Sequence, residues 1–322
     1  MAGNWWGRGT TVGEVQLGNG VAERVQAWLA SQKEKERTDS WFVSSLYHLC
    51  PRELAMRAVF GHPGAGFRQF EPRLRNRMDV GTALQLWWQN RYLGPAGVLL
   101  GTWKCSKCAA TVDGKMPKDA HCEGATWAHV ETRVTYTEQG WTRQMVGRMD
   151  GEVEGEPPDG EVDPFGVLEI KKHGFMPVKT IPADYMWQIQ AYMRMRGRRW
   201  GIMLFIDASC NYKNEANKAL QLPCQEVVVR YDETYWNLAC ERVRQAEAIV
   251  ARMAGGTYGY AGQDFTWPDK VCIDRRCKTA ERCAFASQCF DSVAMAQAQL
   301  RIREGRDPIT GGEPAKMPNG RA

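Results

Sequence analysis

Arg148-Met149-Asp150-Gly151, then Gly166-Val167-Leu168-Glu169-Ile170-Lys171, then Gln188-Ile189-Gln190-Ala191-Tyr192: this stretch decides the fold. A strand puts alternate side chains on one face, so Glu169 and Lys171, two apart in an apolar run, point the same way. Asp150 ends an earlier strand-like run, Gln144 to Met149, and a neighbouring antiparallel strand would bring its carboxylate beside Glu169. Two carboxylates and a lysine are therefore expected together at a sheet edge. Gln188 and Tyr192, four apart in the amphipathic run Ala183 to Arg196, share a helical face.

Hard oxygen ligands on a rigid sheet suit Mg2+ or Mn2+. A nearby ammonium can orient or deprotonate an attacking water, which is the chemistry of phosphodiester hydrolysis. Gln188 and Tyr192 would touch nucleic acid entering such a site. Taken singly, each motif has a plainer reading: a turn aspartate, a solvated strand face, a common pair on a helix. Their order, in a strand, strand, helix context, carries the argument.

That order, Asp150, Glu169-x-Lys171, Gln188-x-x-x-Tyr192, resembles the RecB-like branch of the PD-(D/E)xK nuclease superfamily. The resemblance implies an α/β fold with a restriction-endonuclease-like core: a mixed central sheet flanked by helices. It implies Mg2+ or Mn2+ at Asp150, Glu169 and the carbonyl of Ile170, with Lys171 activating water and offsetting charge on the phosphate. Gln188 and Tyr192 would hold the DNA. The family also carries a helix with Gly-x-x-x-His, whose His approaches the metal; here the spacing from Gly81 lands on Gln85. An imidazole ligand is replaced by an amide that can still offer its carbonyl.

Composition is compatible with this. The 322 residues can bury a large core, and 42 Lys and Arg against 37 Asp and Glu give a mild excess of +5. Basic clusters at Arg68 to Arg77 and Arg194 to Arg199 read either as phosphate contacts or as solvated faces. No membrane span or signal peptide is expected, which points to a reducing cytoplasm where the 11 cysteines serve metals rather than disulfides.

Two cysteine groups stand out. Cys105-Ser106-Lys107-Cys108 is a knuckle that, with Cys122, invites a fourth Zn2+ ligand: His121 first, with Asp119 and His129 behind it. Later, Cys272, Cys277, Cys283 and Cys289 fall within eighteen residues. They could hold zinc by themselves, or three could join a distant cysteine around a cluster. The second arrangement resembles the iron-sulfur subset of RecB-like nucleases, including AddB-type and CRISPR-adaptation-type nucleases. It implies a 4Fe-4S cluster on Cys50, Cys277, Cys283 and Cys289, with Cys272 as the alternative to Cys277.

The expected organisation is an N-terminal extension at 1–37, a nuclease domain at 38–291, and a zinc-ribbon-like insertion at 101–131 within it. A cluster-binding segment at 266–291 and a short helix with a disordered tail at 292–322 follow. Further strands are expected at Val130 to Tyr136, Trp200 to Ile206 and Gln225 to Val229. A helix is expected at Val21 to Glu34, another through Trp88, and a long one from Thr234 to Met253. The expected function is a metal-dependent DNA exonuclease favouring single-strand ends, in repair, recombination or phage DNA processing. With no P-loop lysine motif, strand separation would fall to a helicase or recombinase partner. The alternative is a weakly active or inactive nuclease-fold DNA-binding or assembly protein, for which Gln85 is the best support. Oligomeric state and cleavage polarity are left open.

Overall fold

The structure is a computed structural model and describes residues 39–47, 50–60, 72–174, 177–207 and 224–254, with the short stretches 24–25, 28, 33–35 and 67–69. The main sheet runs β12-β11-β10-β9-β4-β5, with β6 also paired to β4. Its strands are β4 (Leu99–Cys105), β5 (Thr111–Lys115), β6 (Trp127–Val130), β9 (Gly151–Glu154), β10 (Phe165–His173), β11 (Trp200–Asp207) and β12 (Cys224–Arg230). Among the described strands there, only β10 and β11 are parallel, because helix α4 (Ala183–Arg196) carries the chain back between them. This is the mixed central sheet with covering helices that the strand and helix periods imply.

Alternation along β10 and β11 sorts their side chains onto two faces. Val167, Met203 and Phe205 pack with Ile189, Tyr192 and Met193 of α4 and with the stripe Trp236, Val243, Ala246, Ile249 of α5 (Glu233–Ala254). Leu168, Ile170, Leu204 and Ile206 pack on the other side with Trp88, Leu99, Trp103 and Trp200. Central β10 is buried on both faces from Gly166 to Ile170, so any charge there must be held by partners. Helix α4 stops at Gly197, whose φ of +68° lets Arg198 N–H reach back to Met193 O at 2.8 Å.

A second, three-stranded sheet is ordered β2 (Ser40–Phe42), β8 (Gln144–Met149), β7 (Thr132–Tyr136). This corrects the expectation that the strand ending at Asp150 pairs with the Glu169 strand. Instead β8 lies in the smaller sheet, and its continuation β9 pairs antiparallel with β10, Gly151 opposite Leu168. Asp150 is the residue at which the chain passes from one sheet to the other. The expected single strand Val130 to Tyr136 is likewise split at Glu131, β6 joining the main sheet and β7 the smaller one.

Glu152 to Glu154 lie in β9; Glu152 is tolerated there because Arg196 and Arg198 reach its carboxylate, each at 2.7 Å. These arginines are thereby structural rather than phosphate-facing, and Arg199 lies over the Tyr231 ring. Pro51 opens α2 (Pro51–Phe60) after the one-turn α1 (Val43–Leu46), because a first-turn position needs no N–H. Lys33–Lys35, expected at a helix end, form strand β1, paired with β3 (Phe67–Gln69).

Candidate active site

Asp150 is 5 % exposed and held from three directions. Its Oδ2 accepts the Ile170 N–H at 2.6 Å, its Oδ1 accepts Gln85 Nε2 at 2.6 Å, and its carbonyl accepts Gln89 Nε2 at 2.7 Å. Both glutamines come from one helical run: α3 (Pro72–Trp88) and the π-helical turn Gln89–Leu93 that continues it. Gln85 and Gln89 are four apart and share a face, and the π turn lets Asn90 also point inward, to the His129 N–H at 2.7 Å. Gly151 follows with a φ of +156°, and a Cβ there would run into the Leu99 side chain. The sharp passage between sheets that presents Asp150 therefore requires glycine next to it.

Glu169 is 2 % exposed and projects from β10 on the α4 side with Lys171. Lys171 Nζ donates to Glu169 Oε1 at 2.5 Å and to Gln188 Oε1 at 2.9 Å, and lies 4.7 Å from the centre of the Tyr185 ring. Gln188 Nε2 in turn donates to the Tyr192 hydroxyl at 3.0 Å. Tyr192 is buried against Gly147, so it anchors Gln188 from inside, while Gln188 itself is half-buried. Among the described residues, Glu169 Oε2 is buried with no hydrogen-bond partner. Ladder pairing of β9 with β10 ends at Leu168. A strand residue directs its N–H and C=O to the same edge, so the Ile170 carbonyl faces the open edge where its N–H meets Asp150. Lys172, one residue on, is exposed.

The electrostatics are those of two carboxylates and one ammonium in a dry place. Burial, then Glu169, pushes the Asp150 carboxyl well above its ordinary value, against the pull of Lys171 and the Ile170 N–H. Burial raises Glu169 as well, less so because Lys171 is bonded to it. Burial works against the Lys171 charge, yet Glu169 and Asp150 together hold its pKa above the ordinary 10.5. Burial lifts the Tyr192 hydroxyl far above its usual range.

A pH prediction follows. A carboxyl raised on folding binds more protons in the native than in the unfolded chain between its two pKa values, so stability falls as pH rises through that window. The window opens at the ordinary values of 3.8 for Asp150 and 4.5 for Glu169. Without divalent cations the melting temperature should therefore fall as pH rises above this point. The Asp150→Asn protein should show a shallower fall in the same thermal scans. A slope unchanged in the variant would show that Asp150 does not carry the effect.

A cavity of about 490 Å³ shares Gln188 and Tyr192 with this site and is lined besides by Asp39, Ser40, Arg133 and Arg148, among others. Arg133 and Arg148 stand directly opposite each other on β7 and β8, an arrangement unfavourable for two like charges unless an anion lies between or near them. Glu131 Oε2 approaches Arg148 at 4.0 Å.

Away from this site, Cys105, Cys108, His121 and Cys122 place their ligand atoms within 4.8 Å of one another. His121 Nδ1 is 3.2 Å from Cys108 Sγ and 3.5 Å from Cys122 Sγ. The β4 to β5 turn presents the first pair, and the backbone N–H groups of Cys108 and Lys107 bring the Cys105 thiol down to about 7. The other two candidate ligands, Asp119 and His129, are not part of this group. Asp119 contributes its carbonyl to Trp127 Nε1, and His129 is buried against Trp103, its pKa pushed down to about 4 by that burial. A Cys3His cluster able to hold a metal ion is thus part of the fold.

Cys50 is buried at the start of α2, where its Sγ accepts the Glu53 N–H at 3.4 Å. Cys272, Cys277, Cys283 and Cys289 lie outside the described residues. Two residues at the site escaped the sequence reading. Gln89 could have been found from its four-residue spacing to Gln85; Glu131 carries no spacing signal, and only the folded chain brings it to Gln85 Nε2, at 3.1 Å.

No protein-family model and no curated protein matches the chain. Among solved structures it is similar to the one described as the crystal structure of SSO0001, at 15% identity over 82% of this chain and 91% of that one, with a TM-score of 0.36. It is also similar to an alkaline exonuclease (LHK-Exo) from Laribacter hongkongensis, at 14% identity over 74% and 98% of the two chains, TM-score 0.38. The same exonuclease in complex with dAMP gives 14%, 72% and 93%, TM-score 0.33. All three scores are low, so what the chain does is argued from its own residues. No described helix is long and apolar enough to cross a membrane.

Proposed function

We propose that the chain is a divalent-cation-dependent nuclease acting on DNA, of the RecB-like PD-(D/E)xK kind. The observation that carries this is the convergence of Asp150, Glu169 and Lys171 in one buried site, whose Gln188 also lines the cavity that holds Arg133 and Arg148. The donor set fits Mg2+ or Mn2+: two carboxylates, one with a buried, unpartnered oxygen, and the Ile170 carbonyl at an open strand edge. Such an ion would supply Lewis acidity toward a phosphoryl oxygen.

The chain's own groups do the rest. Asp150 and Glu169 hold the cation. Lys171, bonded to Glu169 and Gln188, would orient the attacking water and offset charge gathering on the phosphate. Gln188, fixed by Lys171 and Tyr192, meets the strand. Gln85 occupies the place of the family's His and holds Asp150. Arg133 and Arg148 receive the backbone phosphates. Replacing both with Ala should weaken DNA binding alike for all sequences and lower the salt slope by about two. Fluorescence-anisotropy titrations at several salt concentrations would show it; an unaltered slope would leave the arginines without a phosphate.

The Cys3His cluster suits Zn2+, whose soft thiolate and imidazole ligands close a tetrahedron without room for substrate, so its role is structural. A 4Fe-4S cluster on Cys50, Cys277 or Cys272, Cys283 and Cys289 completes the proposal. The Arg242 guanidinium on α5 grips the Leu46 and Tyr47 carbonyls at 2.6 and 2.8 Å, which keeps the helix leading to those cysteines beside the Cys50 segment. Single-strand ends are the proposed substrate. End-labelled single- and double-stranded DNA incubated with Mn2+ should yield mononucleotides or short products, more from the single strand. Intact DNA in both, at all cation concentrations, would leave a binding role in place of an enzyme.

A further inference from the structure

Gln85 does something at this site that a plain helical glutamine does not. Its single amide nitrogen lies 2.6 Å from Asp150 Oδ1 and 3.1 Å from Glu131 Oε1, so two carboxylates, each at a point where the chain passes between the two sheets, converge on one small, positively polarised group. The side chain of Glu131 is 29% exposed, and it sits at the break between β6 and β7. Near this pair lies the buried Glu169, close enough to repel both carboxylates, whose Oε2 has no hydrogen-bond partner among the described residues. Three carboxylates therefore share one place with Lys171 and the more distant Arg148 as the nearby cations. A divalent ion meets converging carboxylates as the amide N–H2 does, with more charge. An amide turned over about its last torsion offers an oxygen where the nitrogen was.

We infer that Glu131 is a third carboxylate ligand, and that Asp150, Glu131 and the carbonyl oxygen of Gln85 form a second divalent-cation position beside the one on Asp150 and Glu169. The inference rests on the proposed nuclease site and adds to it. Two cations sharing Asp150 match the arrangement in which attacking and leaving oxygens of a phosphodiester are each steadied by an ion. It also gives Gln85 a purpose: a ligand from the helix is retained, and Glu131 provides the charge that a neutral amide does not.

The test is Mn2+ binding to the full chain with its cysteine metals in place, followed by calorimetry and by electron paramagnetic resonance. The wild type should take up two Mn2+ per chain, with the spectrum of a coupled pair, because ions of a two-metal site lie about 4 Å apart. Glu131→Gln should lose the coupled spectrum and bind the second ion at least about tenfold more weakly, while retaining the first. A single uncoupled Mn2+ in the wild type, or a Glu131→Gln protein indistinguishable from it, overturns the second position. Asp150→Asn separates the two levels: it should abolish the coupled pair and weaken both ions. If it leaves both unaltered, the nuclease site itself is wrongly placed.

Discussion

Lys171→Met should slow DNA cleavage by about 10²- to 10³-fold, the usual loss when one preorganised charge at a developing oxyanion is removed. The ammonium bonds both Glu169, at 2.5 Å, and Gln188, at 2.9 Å, so its removal strikes the carboxylate and the strand-holding amide together. Cleavage should fall far more than DNA affinity, because Arg133 and Arg148 are left in place. The variant also strands Glu169 in a buried position, and breaking such a pair costs on the order of 3–5 kcal/mol. Part of that loss should return when Mn2+ is added. Single-turnover cleavage alongside thermal melts separates the two effects. A rate equal to wild type would reduce Lys171 to a structural counter-charge.

The second large effect concerns the Cys3His cluster. Cys108→Ser should lower bound zinc from about one per chain to a small fraction, since structural sites need all four ligands closed around the ion. The loss should spread beyond the turn. β4, which ends in Cys105, pairs through Leu99 and Leu100 with Val153 and Glu152 of β9, and β9 begins immediately after Asp150. A melting temperature lower by on the order of 10 °C is expected, together with weaker Mn2+ binding at the carboxylates. Metal analysis and melts on the same preparations give the answer. Full zinc in the Cys108→Ser protein would take Cys108 out of the ligand set.

Much of the fold was readable because its signals are local. The 2-residue alternation of Glu169 and Lys171 in an apolar run needs no knowledge of the rest of the chain, and helix α4 has the expected bounds Ala183–Arg196, although it is buried nearly all round from Ile189 to Met193 rather than along one face. The Cys3His cluster was legible for the same reason, with Cys105, Cys108, His121 and Cys122 at short separations; His129 is removed from it by burial against Trp103, a tertiary fact. What could not be read was anything set by how the strands are shared between sheets. Asp150 faces Glu169 because the chain changes sheets there, not because β8 pairs with β10. Arg196 and Arg198 resemble a basic patch in sequence and are instead folded back on Glu152, whose partners lie more than forty residues away. Glu131 has no neighbour in sequence that marks it, and only the breaking of one expected strand into two brings it to Gln85.

The central claim is that Asp150 and Glu169 form a cation-dependent cleaving site. It is tested most directly by following release of label from end-labelled single-stranded DNA by the full chain, purified without oxygen, in Mn2+. Wild type and Asp150→Asn would be compared at matched concentration. Degradation by the wild type should stop on chelation of Mn2+, and Asp150→Asn should lose about 10³-fold or more of the rate with the fold intact by circular dichroism. Equal rates in the two proteins, or equal inertness of both, would contradict it.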